Sequence, residues 1–130
     1  MDQEKYTLIW HTYPEHLRGM MQDMLTSEDF ADVTLVCDDN KSIMAHKNIL
    51  SACSPFFKNI FLVTENLNPI IYLQGIQYYE VETIMQFIYS GEAMFYEGRR
   101  KEIMDLARTL EIKEFFNAQS NSISILVYFL

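Results

Sequence analysis

Residues Asp32–Phe61, DVTLVCDDNKSIMAHKNILSACSPFFKNIF, decide the fold of this chain. Val33-Thr34-Leu35-Val36-Cys37 is a short, β-branched, apolar run with the makeup of a buried strand. Asp38-Asp39-Asn40-Lys41 supplies turn residues, and Ser42 to Ala45 returns as a second strand. From His46 the period changes, because Ile49, Leu50 and Cys53 share one helical face. Ser54-Pro55 restarts a helix, serine suiting the cap and proline the first helical position. Phe56, Phe57, Ile60 and Phe61 form the apolar face of that helix. The segment reads strand, turn, strand, helix, helix with almost no spare residues.

The 130 residues suffice for one domain around one core. A hydrophobic share of 49% and an aromatic share of 14% exclude a wholly disordered chain. They also leave apolar surface to spare, which often ends in an interface. The net charge of −8 opposes phosphate backbones, so direct nucleic-acid binding by this domain is not expected. The basic run Arg99-Arg100-Lys101 is short, and Glu97 and Glu102 flank it. Cys37 and Cys53 fall on apolar faces and read as reduced core cysteines of an intracellular protein. No C-x-x-C or H-x-x-x-H pair is present, so neither a zinc site nor any cofactor is expected. The opening MDQEKYTLIW lacks the layout of a signal peptide. No apolar run reaches the ~18 residues of a membrane span.

Outward from the central block, Tyr6-Thr7-Leu8-Ile9-Trp10 is β-prone and predicts a strand. A helix is expected from near Pro14, with Leu17, Met20, Met21, Met24 and Leu25 in one amphipathic stripe. Ile70-Ile71-Tyr72-Leu73 predicts a third core strand. Tyr79 to Tyr89 reads as a helix with Val81, Ile84, Met85 and Ile88 on one face, stopped by Ser90-Gly91. Ala93-Met94-Phe95-Tyr96 reads as a short strand or extended segment. Helices follow from Gly98 to Leu110 and from Ile112 to about Asn117. The domain is expected over residues 1–117, with its core at about 30–96, and residues 118–130 form an apolar, β-prone tail.

No catalytic constellation emerges, and neither an enzyme nor a small-molecule substrate is expected. His46 opens a helix with no nucleophile and acid implied beside it, so it reads as structural. His11 and His16 lack a carboxylate cluster spaced for a metal. Glu28-Asp29 and Asp38-Asp39 read as turns and caps, and the four glycines are scattered rather than gathered in a phosphate loop. From the residues alone, Asp32 and Lys47 read as a local cap and a solvated lysine. The stripe from Leu17 to Leu25 is core packing or a subunit interface, for which adaptable methionine is suited.

The strand pair followed by AHKxxLxxxSPFFxxxF resembles the signature of the BTB/POZ domain, and the resemblance spans roughly residues 6–115. Within that superfamily the chain is similar to the Tramtrack-type group, which opens with an aromatic-x-leucine-x-tryptophan-asparagine-asparagine segment. Tyr6, Leu8 and Trp10 match it, while His11 and Thr12 stand where the asparagines would be. HKNILSACSPFFKNIF, NPIIYLQGIQY, MQFIYSGE and ARTLEIKEF also resemble the group's motifs. Arg100 replaces a usual leucine, which predicts a more exposed start to the following helix.

The resemblance implies an α+β fold, a small sheet flanked by a cluster of helices, in a dimer with exchanged N-terminal strands. Residues 6–10 of one chain would pair with residues 93–96 of the other. The implied interface holds Tyr6, Leu8, Trp10, Leu17, Met20, Met21, Met24, Ala93, Met94 and Phe95. Asp32 and Lys47 would form a charged pocket near it, with lysine where many members have arginine. The implied function is a protein–protein interaction module serving transcription regulation or chromatin organisation in the nucleus. Its partners would be a second copy, related BTB proteins and transcriptional co-regulators, with no membrane. An alternative is a substrate adaptor for a cullin-type ubiquitin ligase, whose contact would include Val63 and Glu65.

Overall fold

The computed structural model describes residues 3–117. Strand β1 (Val33–Cys37) buries every second side chain, Val33, Leu35 and Cys37, as period-two chemistry requires. The Asp38–Lys41 turn is closed by Asn40 at φ 61°, a conformation asparagine tolerates. Strand β2 (Ser42–Ala45) then pairs antiparallel with β1, Val33 opposite Ala45 and Val36 opposite Ser42. Strand β3 (Ile70–Leu73) lies parallel on the other side of β1, Thr34 opposite Ile70 and Cys37 opposite Leu73. The order β2-β1-β3 makes β1 central, which accounts for its apolar content.

Helix α1 (Tyr13–Thr26) precedes the sheet, with proline in its first turn. Helices α2 (Lys47–Cys53) and α3 (Pro55–Val63) meet at Ser54. The Ser54 hydroxyl accepts the Phe57 N–H at 3.1 Å and donates to the Leu110 carbonyl at 2.6 Å. One buried side chain thereby caps α3 and fastens it to the far end of the domain. Helix α4 (Tyr78–Ser90) opens with the Glu80 carboxylate accepting the Gln77 N–H at 2.7 Å and closes at Gly91, φ 81°. A 3₁₀ turn (Glu97–Arg99) leads into α5 (Arg100–Thr109), and a final helical segment covers residues 113–117.

The core joins Leu35 and Cys37 of the sheet to Leu50, Phe57, Val81, Ile84, Met85, Ile103 and Leu106 of the helices. The opposite face of the sheet is open, with Met44, Ile70 and Tyr72 exposed. Tyr89, which the aliphatic stripe did not include, is buried within α4.

One expectation is corrected. Residues 6–10 form no strand within the chain, because the stretch has no ladder partner inside it; residues 93–96, expected as a strand or an extended segment, also lie outside any ladder. At the start of α5 the Arg100 guanidinium is half-buried against Glu97, Nη2 donating to the carboxylate at 2.9 Å, while Glu97, Lys101 and Glu102 are exposed. The expected tail at 118–130 lies outside the described residues.

Candidate interaction surface

The N-terminal arm stands off the body of the chain. Residues 3–10 are all exposed, Leu8 to 98%. Trp10 is the point where the arm meets α1. Its indole N–H donates to Thr12 Oγ1 at 2.9 Å, and its ring lies 5.3 Å from Tyr13 and 4.7 Å from His16. The Tyr6 hydroxyl donates to the Glu4 carboxylate, a bond that raises the Tyr6 pKa.

Helix α1 packs on α4, yet none of its residues is fully buried. Met21, Met24 and Leu25 pack against the core. Leu17 and Met20 are 39% and 41% exposed, and Tyr13 joins them at 45%. The amphipathic stripe is therefore divided along its length. Its C-terminal half packs inward, and its N-terminal half continues the exposed apolar surface of the arm.

Gly91 and Glu92, at the end of α4, meet that half of α1. Arg18 reaches Glu92 at 3.5 Å, and its guanidinium lies 4.0 Å from where a Cβ on Gly91 would sit. Ala93 and Phe95 are half-buried, Phe95 stacking on Phe115 at 6.4 Å, whereas Met94 and Tyr96 are each 72% exposed. The alternation is that of a strand with one face on a core. Ile9, Tyr13 and Tyr96 are also exposed and were not singled out by sequence. Their signal was a β-prone or aromatic residue next to one that was.

Asp32 and Lys47 come together, but not as a charge pair. The Asp32 carboxylate accepts the Lys47 backbone N–H at 2.8 Å, capping the start of α2. The Lys47 ammonium turns instead to the Leu67 carbonyl at 2.9 Å. Beside them His46 is 3% exposed and fully partnered. Its Nε2 lies 3.2 Å from the Asp29 carbonyl, so that nitrogen carries the hydrogen. Nδ1 then accepts from the Tyr89 hydroxyl at 2.8 Å, and that hydroxyl accepts the His46 N–H at 3.0 Å. Burial pushes the Tyr89 pKa up to about 12.

Val63 and Glu65 are exposed at and beyond the end of α3. A cavity of about 380 Å³ is lined by Ala52, Cys53, Phe87, Ile88, Gly91, Ile112 and Glu114. Burial, with the Glu114 carboxylate second, raises the Cys53 pKa and keeps the thiol protonated. Among the described residues no group of His, Cys, Asp and Glu could hold a metal ion, and no helix is long and apolar enough to cross a membrane.

The BTB/POZ domain family model matches residues 21–124. The chain belongs to the BTB/POZ family. It is 36% identical over 113 residues to the sex determination protein fruitless of Drosophila melanogaster, covering 87% of this chain and 12% of that protein. It is 31% identical to the tramtrack alpha isoform of the same fly, covering 87% of this chain and 14% of the relative. The chain thus spans only about an eighth of the length of these relatives. Against the longitudinals lacking protein-like of Drosophila melanogaster, at 29% identity, the match covers 85% of this chain and 86% of the relative. The fold is that of the BTB domain of zebrafish PATZ1, at a TM-score of 0.75 and 22% identity, over 92% of this chain and 98% of that one. Family and relatives together point to a protein–protein interaction module.

Proposed function

We propose that this chain is a protein–protein interaction module that pairs with a second copy through the arm, the first half of α1 and residues 93–96. One observation carries the reading: Leu8, Trp10, Tyr13, Leu17 and Met20 are exposed apolar residues of the arm and the first half of α1, and Met94 and Tyr96 are exposed just after Glu92, which Arg18 of α1 contacts. Water contact with so much apolar surface is unfavourable, and a second copy would remove it from both chains at once. The arm and residues 93–96 both lack ladder partners inside the chain. Pairing one chain's arm with the other's 93–96 segment would supply both and close two exposed edges. The result is an isologous, two-fold interface to which each chain contributes the same patch.

The setting is transcription regulation or chromatin organisation in the nucleus, a reading that rests on the Tramtrack-type likeness and the fly relatives. Related BTB domains with the same arm are candidate hetero-partners, and co-regulators are candidate ligands of the assembled pair. A cross-linking experiment tests the exchange. With the native cysteines replaced, a Leu8→Cys chain is mixed with a Met94→Cys chain. Strand exchange predicts a mixed disulfide that forms only when both variants are present. Its absence, with folded protein in both samples, contradicts the exchange.

A further inference from the structure

A second apolar surface lies at the other end of α1, on loops that the buried network holds. Phe30 has φ 61° and is 92% exposed. A bulky residue in that left-handed conformation carries backbone strain, which persists only where the surroundings impose it. Here they do. Ser27 Oγ accepts the Asp29 N–H at 3.1 Å, and the Ala31 N–H donates to the Glu28 carbonyl at 3.2 Å. The Asp29 carbonyl is held by His46, which Tyr89 fixes, and Asp32 is pinned to Ala45 and Lys47. The chain is clamped on both sides of Phe30, and the ring is left in water.

The same mount carries a second exposed side chain. Lys47 holds the Leu67 carbonyl, and Leu67 is 78% exposed. Both loops enter the same end of the parallel β1–β3 pair, where the Thr34 N–H donates to the Pro69 carbonyl at 3.1 Å and Thr34 stands opposite Ile70. At that end the open face of the sheet adds Ile70 and Met44, which flank Thr34 in the ladder. Exposed Glu28, Asp29 and Glu65 lie on the two loops and outnumber the Lys47 ammonium, which donates to the Leu67 carbonyl and keeps its charge.

We propose that Phe30 and Leu67 are the anchors of a second docking surface, for a protein segment whose apolar side chains are flanked by lysine or arginine. Charge chooses the occupant. An apolar surface bordered by carboxylates favours a basic partner, and a second copy carrying −8 would bring like charge to it. Rigid aromatic and aliphatic knobs on a fixed mount lose little freedom when they are covered. Asp32 and Lys47 act here as positioning residues that hold the two loops in place.

The test uses the full ¹⁵N-labelled chain and two synthetic amphipathic peptides with the same leucine and phenylalanine face. One peptide is flanked by lysines, the other by glutamates. The lysine peptide should shift the amide signals of residues 28–32, 65–68 and 70, and added salt should weaken it. Phe30→Asn, which keeps a residue tolerant of the left-handed conformation, and Leu67→Ser should each weaken it by about tenfold. Equal binding of both peptides, unchanged binding by the variants, or shifts confined to the arm and α1 would overturn the proposal. So would a loss of self-association in the Phe30 and Leu67 variants, because it would make a second copy the occupant. Self-association is measured on the same samples, so failure of this surface is distinguishable from failure of pairing through α1.

Discussion

The hydroxyl of Tyr89 lies 2.8 Å from Nδ1 of His46 and 3.0 Å from the same residue's backbone nitrogen. One side chain from α4 thus satisfies both a ring atom and a main-chain donor at the start of α2. Removing it strands two buried polar atoms. Tyr89→Phe is expected to lower the unfolding free energy by about 1–3 kcal/mol in urea titrations. A change smaller than the scatter between replicate titrations would show that the pair is dispensable.

The same tyrosine sets an alkaline limit. Its folded pKa is pushed to about 12, above the ordinary value of 10.0, chiefly by burial. A pKa raised by folding means that the stability it contributes is complete below the unfolded value and is lost as pH rises through the folded one. Between these two values the wild type should lose about 2–3 kcal/mol from this group. Tyr89→Phe should lose correspondingly less, read from urea midpoints across that range. Parallel curves for the two proteins would refute the assignment.

Ser54 joins two elements that are far apart in sequence. Ser54→Ala removes the cap on α3 and the bond to the Leu110 carbonyl together. The expected cost is about 2 kcal/mol, the sum of a cap and a buried hydrogen bond. Ser54→Thr, which keeps the hydroxyl, should recover part of it in thermal unfolding. Equal losses in the two variants would mean that the hydroxyl is not what matters.

Glu80 is buried, and that burial raises its carboxyl pKa. The fold favours the protonated form, so the stability this group adds is present at low pH and falls as pH rises through the folded value. Glu80→Gln keeps an acceptor for the Gln77 N–H and removes the buried charge. It should be more stable than wild type at neutral pH, with the gap closing in acid. Glu80→Ala, which strands the Gln77 donor, should be less stable throughout. A glutamine variant weaker than wild type at neutral pH would contradict this.

Much of the fold was legible because local chemistry and burial agree in it. Val33, Leu35 and Cys37 alternate, Ser54-Pro55 starts a helix, and Ser90-Gly91 stops one. The division of the α1 stripe was not legible, since Leu17 and Met24 have the same character and only the neighbouring α4 separates them. The role of Asp32 was half legible. Its carboxylate meets the Lys47 backbone rather than the Lys47 charge, and backbone donors leave no mark in a side-chain pattern. Phe30 was passed over because a left-handed phenylalanine reads in sequence like any other. His46 was read as structural, but its partner Tyr89 lies 43 positions away, beyond any local signal.

The central claim is that the exposed face of the arm and α1 is covered by a second copy. Sedimentation velocity on the full chain at micromolar concentration tests it most directly, with Leu17→Glu/Met20→Glu as the comparison. The wild type should sediment as a dimer or larger, and the variant should sediment as a monomer with an unchanged circular dichroism spectrum. A wild type that sediments as a clean monomer would contradict the account.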